Sequence, residues 1–299
     1  MEKSRLCGDK FMIANDNTPP AKASGKPIEA WSGKDKGDEN FPVASLLIAA
    51  NLRPHVHAYY NYARNADDIA DNTDLSAADK LARLAAMEDV LMGRRPSGSP
   101  SAEKLRESLV RSGVPAIHAQ ELLVAFRQDV TKNRYESWEE LMNYCRYSAA
   151  PVGRYVLDLH GESHDTWDAS DALCASLQVL NHLQDCAKDL TNLDRCYIPQ
   201  DWLREQGLTT DSLAGAATSP SLRLVFDQML AATETLNRRA TALPKLVKSR
   251  RLRMECAIIC HLAQRLTKLL KNGDPLATRI KLRKMDMLAA TMHSLRYAA

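Results

Sequence analysis

The stretch Asn181-His182-Leu183-Gln184-Asp185-Cys186-Ala187-Lys188-Asp189 constrains this chain more than any other. It lies in a run from Ala172 to Leu190 with helical periodicity. At helical pitch Gln178, Asn181, Asp185 and Asp189 share one narrow stripe. Leu173, Leu177, Leu180, Leu183, Ala187 and Leu190 fall on the opposite, apolar face. An amphipathic surface helix is one reading of this pattern. Against it stand the residue types: Asn and Asp are poor helix formers, and a solvated face carries Glu and Lys at lower cost. Two like charges at i,i+4 also cost about 0.2–0.5 kcal/mol. Short carboxylates one turn apart, roughly 6 Å along the axis, suit a hard cation that keeps several of its waters.

A second stripe repeats the pattern. Tyr60, Arg64, Asp67 and Asp71 share a face of an earlier helix, with its carboxylates again at i,i+4. Two such stripes facing each other would hold Mg²⁺ between them and share it with substrate phosphates. Arg64, one turn before Asp67, is placed to grip a phosphate.

Around these stripes the chain reads as all-α. The 299 residues are 45% hydrophobic, enough for one sizeable helical domain or two smaller ones. A net charge of +3 gives no reason to expect nucleic acid as a partner. No apolar run is long enough to span a bilayer, and no secretory h-region opens the chain. The seven cysteines are scattered without a C-x-x-C pair, which fits free thiols in a reducing cytoplasm. Cys256 and Cys260, at i,i+4, read as core.

Residues 1–37 are rich in Lys, Gly, Pro, Asn and Asp without apolar period and are expected to be a disordered arm. Residues 38–299 form the helical domain, with order starting near Glu39-Asn40-Phe41-Pro42 and a short helix over 43–51. Pro54 opens the helix of the first acidic stripe. Further helices are predicted over 76–92, 101–112, 115–133, 137–158, 167–190, 199–205, 220–243, 250–272 and 283–297. Pro151 lies inside the fourth of these, after Ser148-Ala149-Ala150 and before Val152-Gly153. It predicts a bend, and the small residues allow either tight helix packing or close approach of a ligand. His160 and His164 are separated by Gly161 and lack a third partner, so a loop is expected there and not a zinc site. With no convincing strand, repeat or glycine-rich phosphate loop, the expected architecture is helices around a central cavity.

These motifs resemble the squalene/phytoene synthase family of head-to-head isoprenoid synthases, over everything from about Glu39 onward. The family's Y-x-x-x-R before D-x-x-x-D matches Tyr60, Arg64, Asp67 and Asp71. Its Q-x-x-N-x-x-x-D-x-x-x-D matches Gln178, Asn181, Asp185 and Asp189, and its R-x-Y-x-P matches Arg195, Tyr197 and Pro199. The resemblance implies a single isoprenoid-synthase domain around an apolar cavity. It also implies Mg²⁺ on Asp67, Asp71, Asp185 and Asp189. Tyr60, Arg64, Arg195 and Tyr197 would act on the leaving diphosphate, and Gln178 and Asn181 would help bind it.

Glu39-Asn40-Phe41-Pro42-Val43-Ala44-Ser45, Tyr144-Cys145-Arg146-Tyr147-Ser148-Ala149 and Asn181-His182 with Gln184-Asp185 resemble the bacterial hydroxysqualene synthase branch. Phytoene synthases usually carry Arg where this chain has Gln184. This branch implies conversion of presqualene diphosphate and water to hydroxysqualene and diphosphate. Pathway partners would be a presqualene diphosphate synthase and a hydroxysqualene reductase. Arg146, His182 and Gln184 are the branch-specific polar residues expected to position substrate or the capturing water; helix contacts are the alternative. Rival readings are head-to-head condensation of two prenyl diphosphates, as in presqualene diphosphate or phytoene synthesis, and a non-catalytic protein of the same fold. Two basic clusters, Lys245 to Arg253 and Arg279 to Lys284, read either as a solvated face or as peripheral contact with the inner membrane face.

Overall fold

The computed structural model describes residues 27–31 and 47–298. Among the described residues twelve α-helices form. In chain order they are α1 (Arg53–Asp71), α2 (Ala77–Leu91), α3 (Pro100–Ser112), α4 (Ile117–Thr131), α5 (Trp138–Ser148) and α6 (Ala150–Leu159). Then follow α7 (Trp167–Leu193), α8 (Gln200–Glu205), α9 (Pro220–Ala240), α10 (Leu243–Leu246), α11 (Arg250–Asn272) and α12 (Lys284–Ser294). No strand forms among them; an isolated bridge pairs Arg134 with Cys196. The six described cysteines are free.

Local chemistry sets the helix boundaries. The hydroxyls of Ser76, Ser99, Ser137 and Ser219 accept from the backbone N–H of Asp79, Ala102, Glu140 and Leu222 at the starts of α2, α3, α5 and α9. Pro stands in the first turn of α1, α3, α6 and α9, where its missing N–H costs nothing. Gly113 ends α3 at φ 72°, a left-handed conformation that favours glycine. The helix predicted over 137–158 is two helices. Pro151 cannot donate to the carbonyl four residues back, and the chain breaks at Ala149 (φ −123°, ψ −46°).

Two hydrophobic clusters build the core. One joins α1 to α4 with Tyr155 and Leu159 of α6; the other gathers α5, α7, α8, α9 and α11. Across part of their seam, α6 and α7 approach very closely. A Cβ on Gly153 would stand 2.4 Å from Ser170 Oγ and 2.7 Å from Cys174 Sγ, so only glycine fits. Elsewhere along the seam a cavity of about 390 Å³ opens between α1, α6, α7, α10 and α11. Gly153 also borders it, so the small residues around Pro151 serve both packing and the cavity.

Residues 27–31 correct part of the expected disordered arm. Ile28 is buried, Ala30 accepts from Asn65 Nδ2 at 2.8 Å, and Glu29 accepts from Ser101 N and Ser99 Oγ at 2.7 and 2.8 Å. The Glu29 carboxylate caps the start of α3, where a negative charge is favoured. The rest of the arm, the Glu39–Ser45 motif and most of the helix predicted over 43–51 lie outside the described residues; residues 50–52 are in turns. His160 and His164 sit in the expected loop, where Gly161 adopts φ 69°. His164 Nε2 is 3.5 Å from Asp158.

A buried polar ladder fixes the long central helix α7 to its neighbours. Ser176 Oγ donates to Asn237 Oδ1 at 2.7 Å, and Asn237 Nδ2 donates to Thr267 Oγ1 at 2.9 Å, tying α7, α9 and α11 together. Replacing Asn237 by Ala strands the Ser176 hydroxyl away from water. It should lower the unfolding free energy by about 1–3 kcal/mol. Urea denaturation followed by circular dichroism checks this; an unchanged midpoint would mean the ladder is slack.

Candidate active site

Both acidic stripes run from the apolar cavity to one polar cleft. On α1, Tyr60 lines the cavity while Asp71, the last helical residue, lines the cleft. On α7, Leu177 and Asn181 line the cavity and Asp189 lines the cleft. The cleft, about 300 Å³, is completed by Asp68, Asn72 to Asp74, Lys188, Asn192 and Leu193, with Ala30 and Trp31 at its edge. The eleven helical steps from Tyr60 to Asp71 span about 16 Å. An elongated ligand with an apolar tail and a polar head therefore has both of its environments along one line.

The cleft is strongly electronegative. α1 and α7 both end there, so the negative ends of two macrodipoles add to the aspartates. Burial, then the Asp71 charge, pushes the Asp67 carboxyl up to about 8. Burial, then Asp185 and Asp71, pushes Asp189 up to about 7. The two helices thus repel each other through Asp71 and Asp189. Two arginines relieve part of this. Arg64 contacts Asp67 at 3.0 Å and Asp68 at 2.8 Å; buried Arg195 contacts Asp71 at 2.5 Å and donates to Ala70 O at 3.2 Å.

Among the described residues no three acidic, His or Cys groups converge on a single point. The donor set is nonetheless that of a hard divalent ion. All its members are carboxylates, and they come in pairs from facing helices, with Asp67 and Asp189 raised by burial and then by their acidic neighbours. Such ions bind through one or two carboxylates, several waters and a ligand's phosphates. Asp67, Asp71, Asp185 and Asp189 are the residues that would hold such an ion.

Beneath the cleft lies a residue that sequence reading missed. Asp129 of α4 is buried and accepts from Tyr144 OH at 2.9 Å and from Tyr197 OH at 3.1 Å. Burial pushes its carboxyl up to about 6, against the pull of Arg195 and both tyrosines. Its sequence signal is positional: His118, Leu122, Ala125 and Asp129 form the buried stripe of α4, so one acid occupies a core position. Tyr197 stacks on His182 with ring centroids 3.6 Å apart. Burial, then Arg195, pushes His182 down to about 3, so it is neutral. Gln178 Nε2 lies 3.2 Å from His182 Nε2.

Other expected site residues fall elsewhere. Arg146 is exposed beside a separate pocket between α5, α6, α7 and α9, with its guanidinium on Tyr147 OH at 2.7 Å. The buried face of α5 is Leu141, Tyr144 and Cys145, and the next residue turns outward. Gln184 Nε2 donates to Ile280 O at 2.6 Å and pins the segment before α12. It is off the acidic stripe because it stands one residue, about 100° around the helix, from Asp185. Tyr197 donates its hydroxyl to Asp129 in this structure. Glu255 of α11, also missed, is a buried acid on the wall of the apolar cavity; one Glu among helical polar residues gives no local signal.

This combination of an all-helical fold, paired aspartate stripes and an apolar cavity defines an isoprenoid-synthase type of protein. The sequence profile of the squalene/phytoene synthase family matches residues 34–286, and the chain belongs to that family of enzymes. It is 45% identical over 263 residues to a hydroxysqualene synthase of Rhodopseudomonas palustris, covering 88% of this chain and 90% of that protein. A hydroxysqualene synthase of Zymomonas mobilis is also 45% identical, with 86% and 87% covered. A 15-cis-phytoene synthase of Enterobacter agglomerans is 28% identical over 69% of this chain and 73% of its own. Among solved structures, squalene synthase HpnC from Alicyclobacillus acidocaldarius superposes with a TM-score of 0.68 at 29% identity, covering 77% of this chain and 87% of its own.

The raised carboxyls carry a pH signature. With no cation present, the folded chain holds more protons than the unfolded chain above about pH 4, where free Asp ionises. Their stabilising contribution is therefore lost as pH rises through the folded values near 7 for Asp189 and 8 for Asp67. In EDTA, Asp189→Asn should raise the melting temperature, and by more at pH 8 than at pH 5. A gain independent of pH, or a loss at pH 8, would remove the repulsion inferred here.

Proposed function

We propose that this chain is a Mg²⁺-dependent hydroxysqualene synthase that converts presqualene diphosphate and water to hydroxysqualene and diphosphate. The observation that carries this reading is the pair of stripes joining an apolar cavity to an acidic cleft. A diphosphate head fits the cleft only with divalent cations, and two long prenyl arms fit only the cavity. The 45% identity to two hydroxysqualene synthases favours this reaction over other head-to-head chemistry. All four aspartates are present in the sequence, and Asp71 and Asp189 line the cleft, which disfavours a non-catalytic protein of the same fold.

Magnesium on Asp67, Asp71, Asp185 and Asp189 would neutralise the leaving diphosphate. Arg64 and Arg195 add fixed positive charge beside those aspartates. Asp129, with Tyr144 and Tyr197, holds the buried Arg195 region in place. When the C–O bond to diphosphate breaks, the cyclopropylcarbinyl cation rearranges within the cavity. Leu173, Leu177, Val156 and Ile259 exclude bulk water there. Tyr60 and the stacked pair Tyr59–Tyr155, centroids 3.9 Å apart, offer ring faces to a cation. Capture then needs one held water in an apolar space, and a held water needs polar partners. Asn181 and Glu255 are polar groups on this wall. Glu255 orients the water and takes its proton as the new C–O bond forms. His182, held neutral against Gln178, supports the Asn181 turn of α7.

The deciding experiment incubates purified protein with presqualene diphosphate, Mg²⁺ and ¹⁸O-water, without a nicotinamide. Hydroxysqualene carrying ¹⁸O is expected. Consumption of farnesyl diphosphate alone, or turnover undiminished in EDTA, would overturn the reading. Asp67→Ala and Asp185→Ala should lower diphosphate release by roughly a hundredfold or more, as loss of charge stabilisation at a leaving group does, and leave helicity unchanged. Glu255→Gln should still release diphosphate but divert product from the alcohol toward alkenes formed by proton loss. An unchanged product ratio would remove Glu255 from the capture step.

A further inference from the structure

Among the described residues the outer face of α12 is left uncovered. Its inner face is fully used: Ala290 is buried and Met287 packs with Ile258 and Leu262 of α11. On the other side Met285, Leu288 and Met292, with Leu295 in the turn that follows, are 70%, 52%, 65% and 61% exposed. Their spacing of three, four and three residues makes one continuous apolar row along the helix, about 15 Å long. Other exposed apolar residues, such as Val110 and Ile117, lie on other helices, and a lone exposed apolar residue is ordinary. A row of four large ones is not.

The charge around this row has one sign. Residues 279–298 contain Arg279, Lys281, Arg283, Lys284 and Arg296 against a single acid, Asp286. That acid is already engaged, with Arg265 Nε at 2.7 Å and Arg283 N at 2.8 Å. Beneath the helix end His261 stacks against His293 at 4.8 Å. Burial, then His293, Lys268, Arg265 and Arg296, holds His261 below its usual range. The basic cluster at Lys245 to Arg253 is different. Buried Glu162 accepts from Lys248 N and Ser249 N at 2.7 Å each, and Arg253 donates to Val247 O at 3.0 Å. The fold itself accounts for part of that cluster and offsets its clash with the α11 dipole.

We propose that the outer face of α12 is a docking surface for an anionic lipid leaflet. Met285, Leu288, Met292 and Leu295 enter the acyl boundary while Lys281, Arg283, Lys284 and Arg296 meet the phosphates. An apolar row rimmed by cations is the pattern of a helix lying in a membrane interface. Charge decides against a second copy of this chain as the occupant: it would bring the same positive rim into contact with itself. Docking needs no spanning segment, and among the described residues no helix is long and apolar enough to cross a membrane. α11 presents Leu252, Cys256 and Ile259 to the cavity and Ile258 and Leu262 to α12. A docked molecule therefore holds its cavity one helix away from the leaflet.

The test is flotation of the full chain with phosphatidylcholine vesicles, with and without phosphatidylglycerol. It reads binding alone, so its outcome is independent of whether the hydroxysqualene reading holds. The parent should float with the anionic vesicles and weakly or not at all with the neutral ones. Leu288→Ser/Met292→Ser, at exposed positions, should keep the parent melting temperature and bind about tenfold or more weakly. Lys281→Glu/Lys284→Glu should lose the preference for phosphatidylglycerol. Absence of parent binding at low salt, or equal binding by the apolar-row variant, would overturn the proposal. So would a dimer in sedimentation velocity that the apolar-row variant dissolves, which would assign the face to a second copy.

Discussion

The contact of Arg195 with Asp71 is the interaction on which the site depends. It brings the loop after α7 onto the last turn of α1, at the point where the carboxylates of the two helices repel most. Without it the negative ends of two helices and their aspartates would face each other with little relief. Arg195 is buried, and a buried guanidinium is tolerable only with several acceptors. It has Asp71, the Ala70 carbonyl and the field of Asp129. Burial first, and then the repulsion that remains, keeps the Asp67 and Asp189 carboxyls raised; under the proposed function divalent cations would relieve it.

Such a site persists because other contacts hold its two helices. The Ser176–Asn237–Thr267 ladder anchors α7 to α9 and α11, and the stacked Tyr59–Tyr155 pair anchors α1 to α6. Tyr155 OH also donates to His55 O at 3.1 Å, near the start of α1. The stabilising contacts lie toward the cavity end and the destabilising charges at the cleft end. Stability and function are thus separated along the same two helices, a common arrangement where a site carries electrostatic strain.

The cavity depends on an unequal helix seam. Gly153 lets α6 touch α7 at Ser170 and Cys174, while α1 and α11 stand further off. The polar groups on its wall, Asn181 and Glu255 among them, are few, so in the proposed reaction each would bear on where water is held.

Much of this was legible in the chain. Carboxylate spacing put Asp67 with Asp71 and Asp185 with Asp189 on common faces, because helical pitch is a local property. Serine caps and prolines set most helix starts for the same reason, and Pro151 announced a break. Tertiary structure alone decided what met across helices. Asp129 is 66 residues before Arg195 and 68 before Tyr197, so its role in their network arises only when α4 packs beneath the cleft. Arg146 and Gln184 stand next to motif residues, yet neighbouring positions on a helix point about 100° apart, and packing sent one outward and the other to Ile280. Glu255 and the α12 row were equally silent. Whether an acid faces a cavity, or an apolar stripe faces solvent, depends on which helix lies opposite, and no local periodicity encodes that.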